Sequence, residues 1–443
     1  MTTTDESSSG SGSSAASGPP SSNGKREVFA WAMYDWANSA FSTLSITILM
    51  FYITGVVVPD KTLGPVVWAW GIGTSMLIAA ALSPILGAIA DANASKRKWL
   101  AATALSGAGT AVLMAIVPPE QTWLIIGLFI VTCLCFELSL GFYNGFLPEI
   151  ADEAAMNRVS AWGYALGYVG GALALVLVMG VTIFGEELGL PDPSDQLRVG
   201  ILIMGLWWGL FTLPTVWVLR DRGQPPADRL PLYKAARQAA REVVQTLRNV
   251  RHYKYLSLFL LGFLFYNDGI QSVISQSGLF AKEELGFRFK EDLLPLFLMI
   301  QVVAFPGAIL VGRLADRIGQ KPTLMLCLGV WVAVVVTVFF VTTKEQFWIL
   351  SIVLALVLGG TQSVSRAIMA RMTPPGRTAE FFGFFNLSGK ATSFLGTYLF
   401  ALIVGITGSL RLAVLSLLIF FLIGWAIVSG INVEKGRQQA IEA

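Results

Sequence analysis

The chain of 443 residues is 54% hydrophobic and 13% charged, with a net charge of +3 and a mean hydropathy of +0.65. Soluble domains carry roughly 25% charged residues, so a water-soluble globule is excluded and a polytopic membrane protein is expected. The only histidine, His252, lies in a basic linker, and the three cysteines, Cys133, Cys135 and Cys327, fall inside apolar runs. That excludes histidine catalysis, a disulfide framework and a metal-ligand cluster.

Residues 1–27 are rich in Ser and Gly, with Pro19 and Pro20 adjacent, and read as a disordered tail. The tail lacks a basic start followed by an apolar core and a cleavage site, so a secretory signal is not expected. Apolar runs then follow at 29–54, 66–90, 99–117, 122–147, 159–183 and 199–219, and again at 255–280, 292–315, 322–342, 347–370, 380–406 and 411–431. Most hold 20 or more residues, enough to cross a hydrocarbon core of about 30 Å. The expected fold is all-α, with 12 transmembrane helices in two pseudo-symmetric six-helix bundles, 28–219 and 255–431, and a tail at 432–443. Between the bundles, 220–254 carries Pro225-Pro226 and then Lys234, Arg237, Arg241, Arg248 and Arg251, which predicts a basic amphipathic helix on the membrane surface.

An even number of spans puts both termini on one side. The loops on that side hold 23 Lys and Arg residues against 7 on the other, so both termini are expected in the cytoplasm.

A charged, Gly-containing turn follows the second run of each half. It reads Gly87-Ala88-Ile89-Ala90-Asp91 with Lys96-Arg97-Lys98 in the first half, and Gly312-Arg313-Leu314-Ala315-Asp316-Arg317-Ile318-Gly319-Gln320-Lys321 in the second. Gly lets two helices approach closely, and each Asp can meet a neighbouring helix N-terminus or a basic side chain. This repeated turn resembles the signature loop of the major facilitator superfamily of secondary transporters, whose halves are parallel repeats about an axis along the membrane normal. The resemblance implies a cavity framed by the first, fourth, seventh and tenth spans. Asp91 and Asp316 are expected to hold the cytoplasmic side closed, with Gly87, Arg97, Gly312, Arg317 and Lys321 completing the switch.

Polar groups inside the spans mark the pathway, because ionisable side chains are costly there. Tyr34 and Asp35 lie in the first run, Glu137 and Asn144 in the fourth, and Asn267, Asp268 and Gln271 in the seventh. Gln362 and Arg366 lie in the tenth, and Asn386 and Lys390 in the eleventh. Asp268 and Lys390 sit near the midplane, about ten to thirteen residues from the cytoplasmic ends of their runs. With Asn267, Gln271, Tyr34 and Asn386 they form the expected solute site, the carboxylate for an ammonium group and the lysine for a carboxylate. Asp35 and Arg366 lie about 8–10 Å from the cytoplasmic end and suit a gate, and Asp35 or Glu137 is expected to carry a coupling proton. Gly163, Gly167 and Gly171 form a smooth strip on one helix face, for static packing or for sliding.

Tyr34-Asp35-Trp36-Ala37-Asn38-Ser39-Ala40-Phe41 resembles the opening signature of the vacuole-effluxer family, the autophagy-linked amino-acid effluxers and their bacterial relatives. Phe142-Tyr143-Asn144-Gly145-Phe146-Leu147-Pro148-Glu149, with Gly145 where Ala is expected, resembles its fourth helix, and Gly163-Tyr164-Ala165-Leu166-Gly167-Tyr168-Val169-Gly170-Gly171 its fifth. Gly360-Thr361-Gln362-Ser363-Val364-Ser365-Arg366 and Phe381-Phe382-Gly383 resemble its tenth and eleventh. The resemblance covers about residues 28–431 and implies efflux of small solutes, amino acids first. The expected partners are therefore a small-molecule substrate, the lipid bilayer and coupling protons, with no cofactor, metal or nucleic acid. A monomer in a bacterial cytoplasmic membrane is expected. Two alternatives stay open. An exporter or flippase of amphiphiles needs an apolar cavity, for which Phe381, Phe382, Phe384 and Phe385 are candidates. A non-transporting sensor needs a folded output domain, for which the linker is too short.

Overall fold

Wherever backbone meets lipid, every N–H and C=O must be bonded within its own segment, so apolar runs of this length have one solution, the helix. The computed structural model describes residues 22–222, 232–248, 252–390 and 395–442, and among these it is helical without strands. The first half is α1 (Gly24–Val57), α2 (Leu63–Ala92), α3 (Lys96–Ile116), α4 (Thr122–Ile150), α5 (Met156–Ile183) and α6 (Pro193–Val218). The linker contributes α7 (Leu232–Arg248). The second half is α8 (Lys254–Leu285), α9 (Glu291–Ile318), α10 (Gln320–Val338), α11 (Lys344–Arg371), the pair α12 (Thr378–Lys390) and α13 (Leu395–Thr407), and α14 (Leu410–Ser429). A last helix, α15, covers Val433–Ile441.

Among the described residues, eleven helices are long and apolar enough to span. The eleventh predicted run is the exception, occupied by α12 and α13 on either side of residues 391–394, which lie outside the described residues. Lipid-facing positions carry large apolar side chains, such as Trp70, Leu77, Trp123 and Trp217, with Trp123 and Trp217 close to helix ends, where indole rings favour the interface. Local chemistry sets the ends. The Asp192 carboxylate accepts from the Ser194 amide at 2.8 Å ahead of α6, and Thr343 and Gln346 form a reciprocal capping box at α11. Gly319, in the second charged turn, has φ 93° and ψ 159°, a conformation essentially closed to other residues, and it allows α9 to pass straight into α10.

Three expectations change. Helix begins at Ser22 rather than at 28, drawn back by an ion pair between Glu27 and Arg222 at 2.8 Å; residues 1–21 of the expected tail lie outside the described residues. The linker helix is amphipathic as predicted, but it lies on protein. Ala239 and Val243 pack against Ala88, Ile89 and Phe384, and Arg237, Arg241 and Arg248 are exposed. Its apolar face is small enough to be satisfied by α2 and α12 rather than by lipid. The Gly163/Gly167/Gly171 strip faces α1 of its own half, where a Cβ would strike Asp35, Ser39 and Thr43. The close approaches between halves are made instead at Gly87 against Ala379, Gly383 against Pro84, Gly312 against Ala161 and Gly359 against Tyr168.

Candidate functional site

The two halves are joined most firmly toward the end that carries both termini. Arg366 of α11, 1% exposed, reaches into the first half. Its Nη1 donates to Asp35 Oδ2 at 3.0 Å and to Asn144 Oδ1 at 3.3 Å. Its Nε donates to Ser160 Oγ at 3.0 Å, and its Nη2 to the Ser160 carbonyl at 2.8 Å. The guanidinium also lies over the rings of Tyr164, at 4.2 Å, and Trp31, at 4.6 Å. A planar cation is thus held edge-on by oxygens and face-on by π-systems, an arrangement a lysine could not reproduce. Gly163 makes room for it, because a Cβ there would meet both Asp35 and Arg366.

The two charged turns add a symmetric pair of contacts. Asp91, at the end of α2, accepts the amides of Ala379 at 3.2 Å and Glu380 at 2.9 Å, the first turn of α12. Asp316, at the end of α9, accepts Asn157 Nδ2 at 3.0 Å in the first turn of α5, with Arg158 Nε 3.9 Å away. In each case an acidic residue closing one half meets a helix start in the other, where the helix dipole favours negative charge. Buried Lys96 reinforces the first contact through Glu149 and Thr378 Oγ1, with Asp91 Oδ1 at 3.7 Å. Gln320 Nε2 reinforces the second, donating to Asn157 Oδ1 at 2.8 Å.

Of the predicted switch residues, Gly87, Asp91, Gly312 and Asp316 come together across this interface. Arg97 uses its amide to bond Asp221 at 3.2 Å, Arg317 is exposed, and Lys321 bonds the Ser429 carbonyl of its own half at 2.6 Å. Lys96, Glu149, Asn157, Ser160 and Thr378 were missed, although Lys96 and Glu149 lie in motifs already singled out.

At the surface of the same end, Arg437 of α15 bonds Glu434 at 2.8 Å and also pairs with Glu153 of the first half, and Arg371 bonds Glu434 at 2.9 Å. The Arg437 hydrogen bond holds the Glu434 carboxyl below its ordinary value. A lowered carboxyl gives stability that is present above the unfolded value and lost as pH falls through the folded one. Docking of α15 is therefore expected to hold at neutral pH and to fail on acidification below about pH 4. Amide hydrogen exchange across 433–441 should show it, with faster exchange also at high salt.

Nearer mid-depth, Gln301 of α9 donates to Thr43 of α1 at 2.6 Å, and Asn386 of α12 donates to the Glu137 carbonyl of α4 at 3.4 Å. Tyr266 and Ser365 are 2.6 Å apart; Ser365 gives its proton to the Thr361 carbonyl, which leaves Tyr266 as donor. Asn267 Nδ2 donates to the Gly389 carbonyl at 2.8 Å, and Asp268 Oδ2 accepts from the Gly396 amide at 3.0 Å. Gln271, Gln362 and Asn386 are half-buried, whereas Tyr34 is enclosed in the first half with its ring 4.9 Å from that of Tyr143. The Lys390 side chain lies outside the described residues, and with it any pairing to Asp268.

A family model described as "Vacuole effluxer Atg22 like" matches residues 69–441. An uncharacterized MFS-type transporter, YxiO of Bacillus subtilis, is 33% identical over 413 residues, covering 91% of this chain and 94% of that one. Autophagy-related protein 22 of Cryptococcus neoformans is 28% identical over 311 residues, covering 65% of this chain and 52% of its own. The aligned part is thus about half the length of that fungal relative. Among solved structures, the human organic anion transporter MFSD10 aligns with TM-score 0.70 at 12% identity over 93% of this chain and 100% of that one. FucP in its outward conformation, a major facilitator superfamily transporter, aligns with TM-score 0.67 at 13% identity over 91% and 98%. These likenesses show the major facilitator fold.

Proposed function

We propose, from the premise that the chain belongs to the family of Atg22-like vacuole effluxers and is an integral multi-pass membrane transporter, that it exports small polar or zwitterionic solutes, amino acids first, by alternating access. The observation that carries this reading is the paired closure of one end. Two related turns, Asp91 with α12 and Asp316 with α5, and the Asp35–Arg366 bond between them, join the halves on the termini side. Such contacts release as a set when two rigid bundles rock about a central site. By the Lys and Arg asymmetry that side is cytoplasmic, so the state described is closed to the cytoplasm, in a bacterial cytoplasmic membrane. The carrier acts as a monomer.

Solute contacts are assigned to Gln271, Asn386, Asn267 and Tyr34, with Asp268 for the ammonium and Lys390 for the carboxylate of a zwitterion; protons are the coupling ion. The amphiphile-exporter reading loses its main support, because Phe381, Phe382, Phe384 and Phe385 are buried, Phe385 stacking 4.1 Å from the Phe263 ring and the others meeting neighbouring rings edge-on. The test is thermal stabilisation of the purified protein across amino acids, sugars and lysolipids. A bound solute at about 100 times its Kd adds about 2.7 kcal/mol, so amino acids should raise the midpoint by several degrees and Lys390→Ala should abolish the effect only for solutes bearing a carboxylate. Stabilisation by lysolipids alone would favour the amphiphile reading.

A further inference from the structure

In the eleventh span α8 makes contacts on both sides of residues 391–394, with α12 before them and with α13 after them. Asn267 bonds the Gly389 carbonyl, one residue before the end of α12, and the neighbouring Asp268 takes the Gly396 amide, the second residue of α13. That amide satisfies one carboxylate oxygen. The other, Oδ1, has no hydrogen-bond partner, although Asp268 is 1% exposed. One turn further along α8, the hydroxyl of Ser272 is in the same condition, also at 1% exposure. Ser272 Oγ fills the space a Cβ on Gly396 would need, so hydroxyl and carboxylate converge on one residue of α13.

The charged groups around α8 do not neutralise this carboxylate among the described residues. Arg366 of α11 is turned into the other half and bound to Asp35. Arg411 at the start of α14 bonds Glu284 at 2.9 Å, at the far end of α8. Tyr266 is engaged with Ser365, Tyr398 of α13 is 69% exposed, and Glu434 and Arg437 of α15 bond each other at the surface. Lys390 on α12 has its side chain outside the described residues. A carboxylate with a single amide donor in an apolar setting is expensive to keep ionised, and two free oxygens are too few to replace the hydration shell of a metal cation. A proton needs only one oxygen.

We propose that Asp268, one oxygen of which is held by the Gly396 amide while the other has no partner among the described residues, is the proton-binding site of this carrier. Water at the open mouth delivers H⁺, an O–H bond forms at Oδ1, and Oδ2 keeps the Gly396 amide; release reverses the step without any change in electron count. Resting on the solute reading above, the entering ammonium of a zwitterion takes the place of that proton, so each solute exported is exchanged for one proton. Asp35 is thereby left to the gate.

Infrared difference titration of the full-length protein in lipid nanodiscs reads the carboxylic-acid C=O stretch directly. The wild type should show such a band that titrates with pH and disappears in Asp268→Asn. Should Asp268→Asn fail to fold, Asp268→Glu should move the band instead. Adding a mixture of amino acids should discharge it and release protons to a weakly buffered indicator. A band that persists in Asp268→Asn, or no protonated carboxyl at all, would overturn the proposal. A band of Asp268 unmoved by solutes that do stabilise the protein would overturn the exchange. A titrating Asp268 band with no solute stabilising the protein upholds the proton site and counts against the solute reading instead.

Discussion

Arg366→Ala is expected to be among the most damaging single changes in this protein, lowering stability by about 3–5 kcal/mol. The size follows from what it abandons. Asp35, 6% exposed, loses its only cationic partner described here, Ser160 and Asn144 lose their donor, and the ring faces of Trp31 and Tyr164 lose the cation between them. Removing one member of a buried pair costs more than removing both, because the remaining charge has no compensation. The double variant Asp35→Asn with Arg366→Ala should therefore recover part of the loss, and a double-mutant cycle should show strong coupling. Arg366→Lys should recover little, since an ammonium cannot hold four oxygen partners around a plane between two rings. Thermal unfolding in detergent gives the ranking; equal effects for the single and double variants would mean that the pair is not a unit.

Asp91→Asn with Asp316→Asn is the second large expectation, and it concerns population rather than folding. Asp91 makes two charge-assisted bonds to the first turn of α12, and Asp316 one bond to α5 with Arg158 nearby. Charge-assisted bonds are worth about 1.5–3 kcal/mol each, more than neutral ones, and the amide side chain keeps the shape but loses the charge. A loss of about 2–3 kcal/mol across the two turns shifts the balance of open and closed states by roughly 30- to 150-fold. The closed side should then open to labelling: a cysteine at Ala161, shielded under Gly312, should react much faster in the double variant than in the wild-type background. Asp91→Asn should give the larger share of the free-energy shift, because Asp91 makes two of the three charge-assisted bonds.

The fold was readable because its constraint is simple. Twelve apolar runs, a doubled turn and the Lys and Arg asymmetry each follow from what lipid tolerates, and span boundaries agree within a few residues. The site was readable residue by residue but not pair by pair. Asp35 and Arg366 are 331 positions apart, and nothing in their spacing says that they touch. Depth gave their common level; the helix packing gave the bond. Lys96 was hidden because three adjacent basic residues look alike in sequence, and only the turn geometry buries the first and leaves Lys98 exposed. The Gly163, Gly167 and Gly171 strip was readable as a smooth face, but periodicity does not name its neighbour, which is α1. Asp268 was placed by depth, without its partner on α13.

Alternating access is tested most directly by measuring both mouths in one protein. Spin labels at Ala154 and Arg317 bridge the halves on the termini side, and labels at Lys61 and Lys282 bridge them on the other; all four positions are exposed. Without solute the first distance should be short and narrow. With a saturating mixture of amino acids, or with Arg366→Ala, a second, longer population should appear there while the Lys61–Lys282 distance shortens in the same proportion. Distances that stay fixed under both conditions, or mouths that open together, would contradict a carrier working by alternating access.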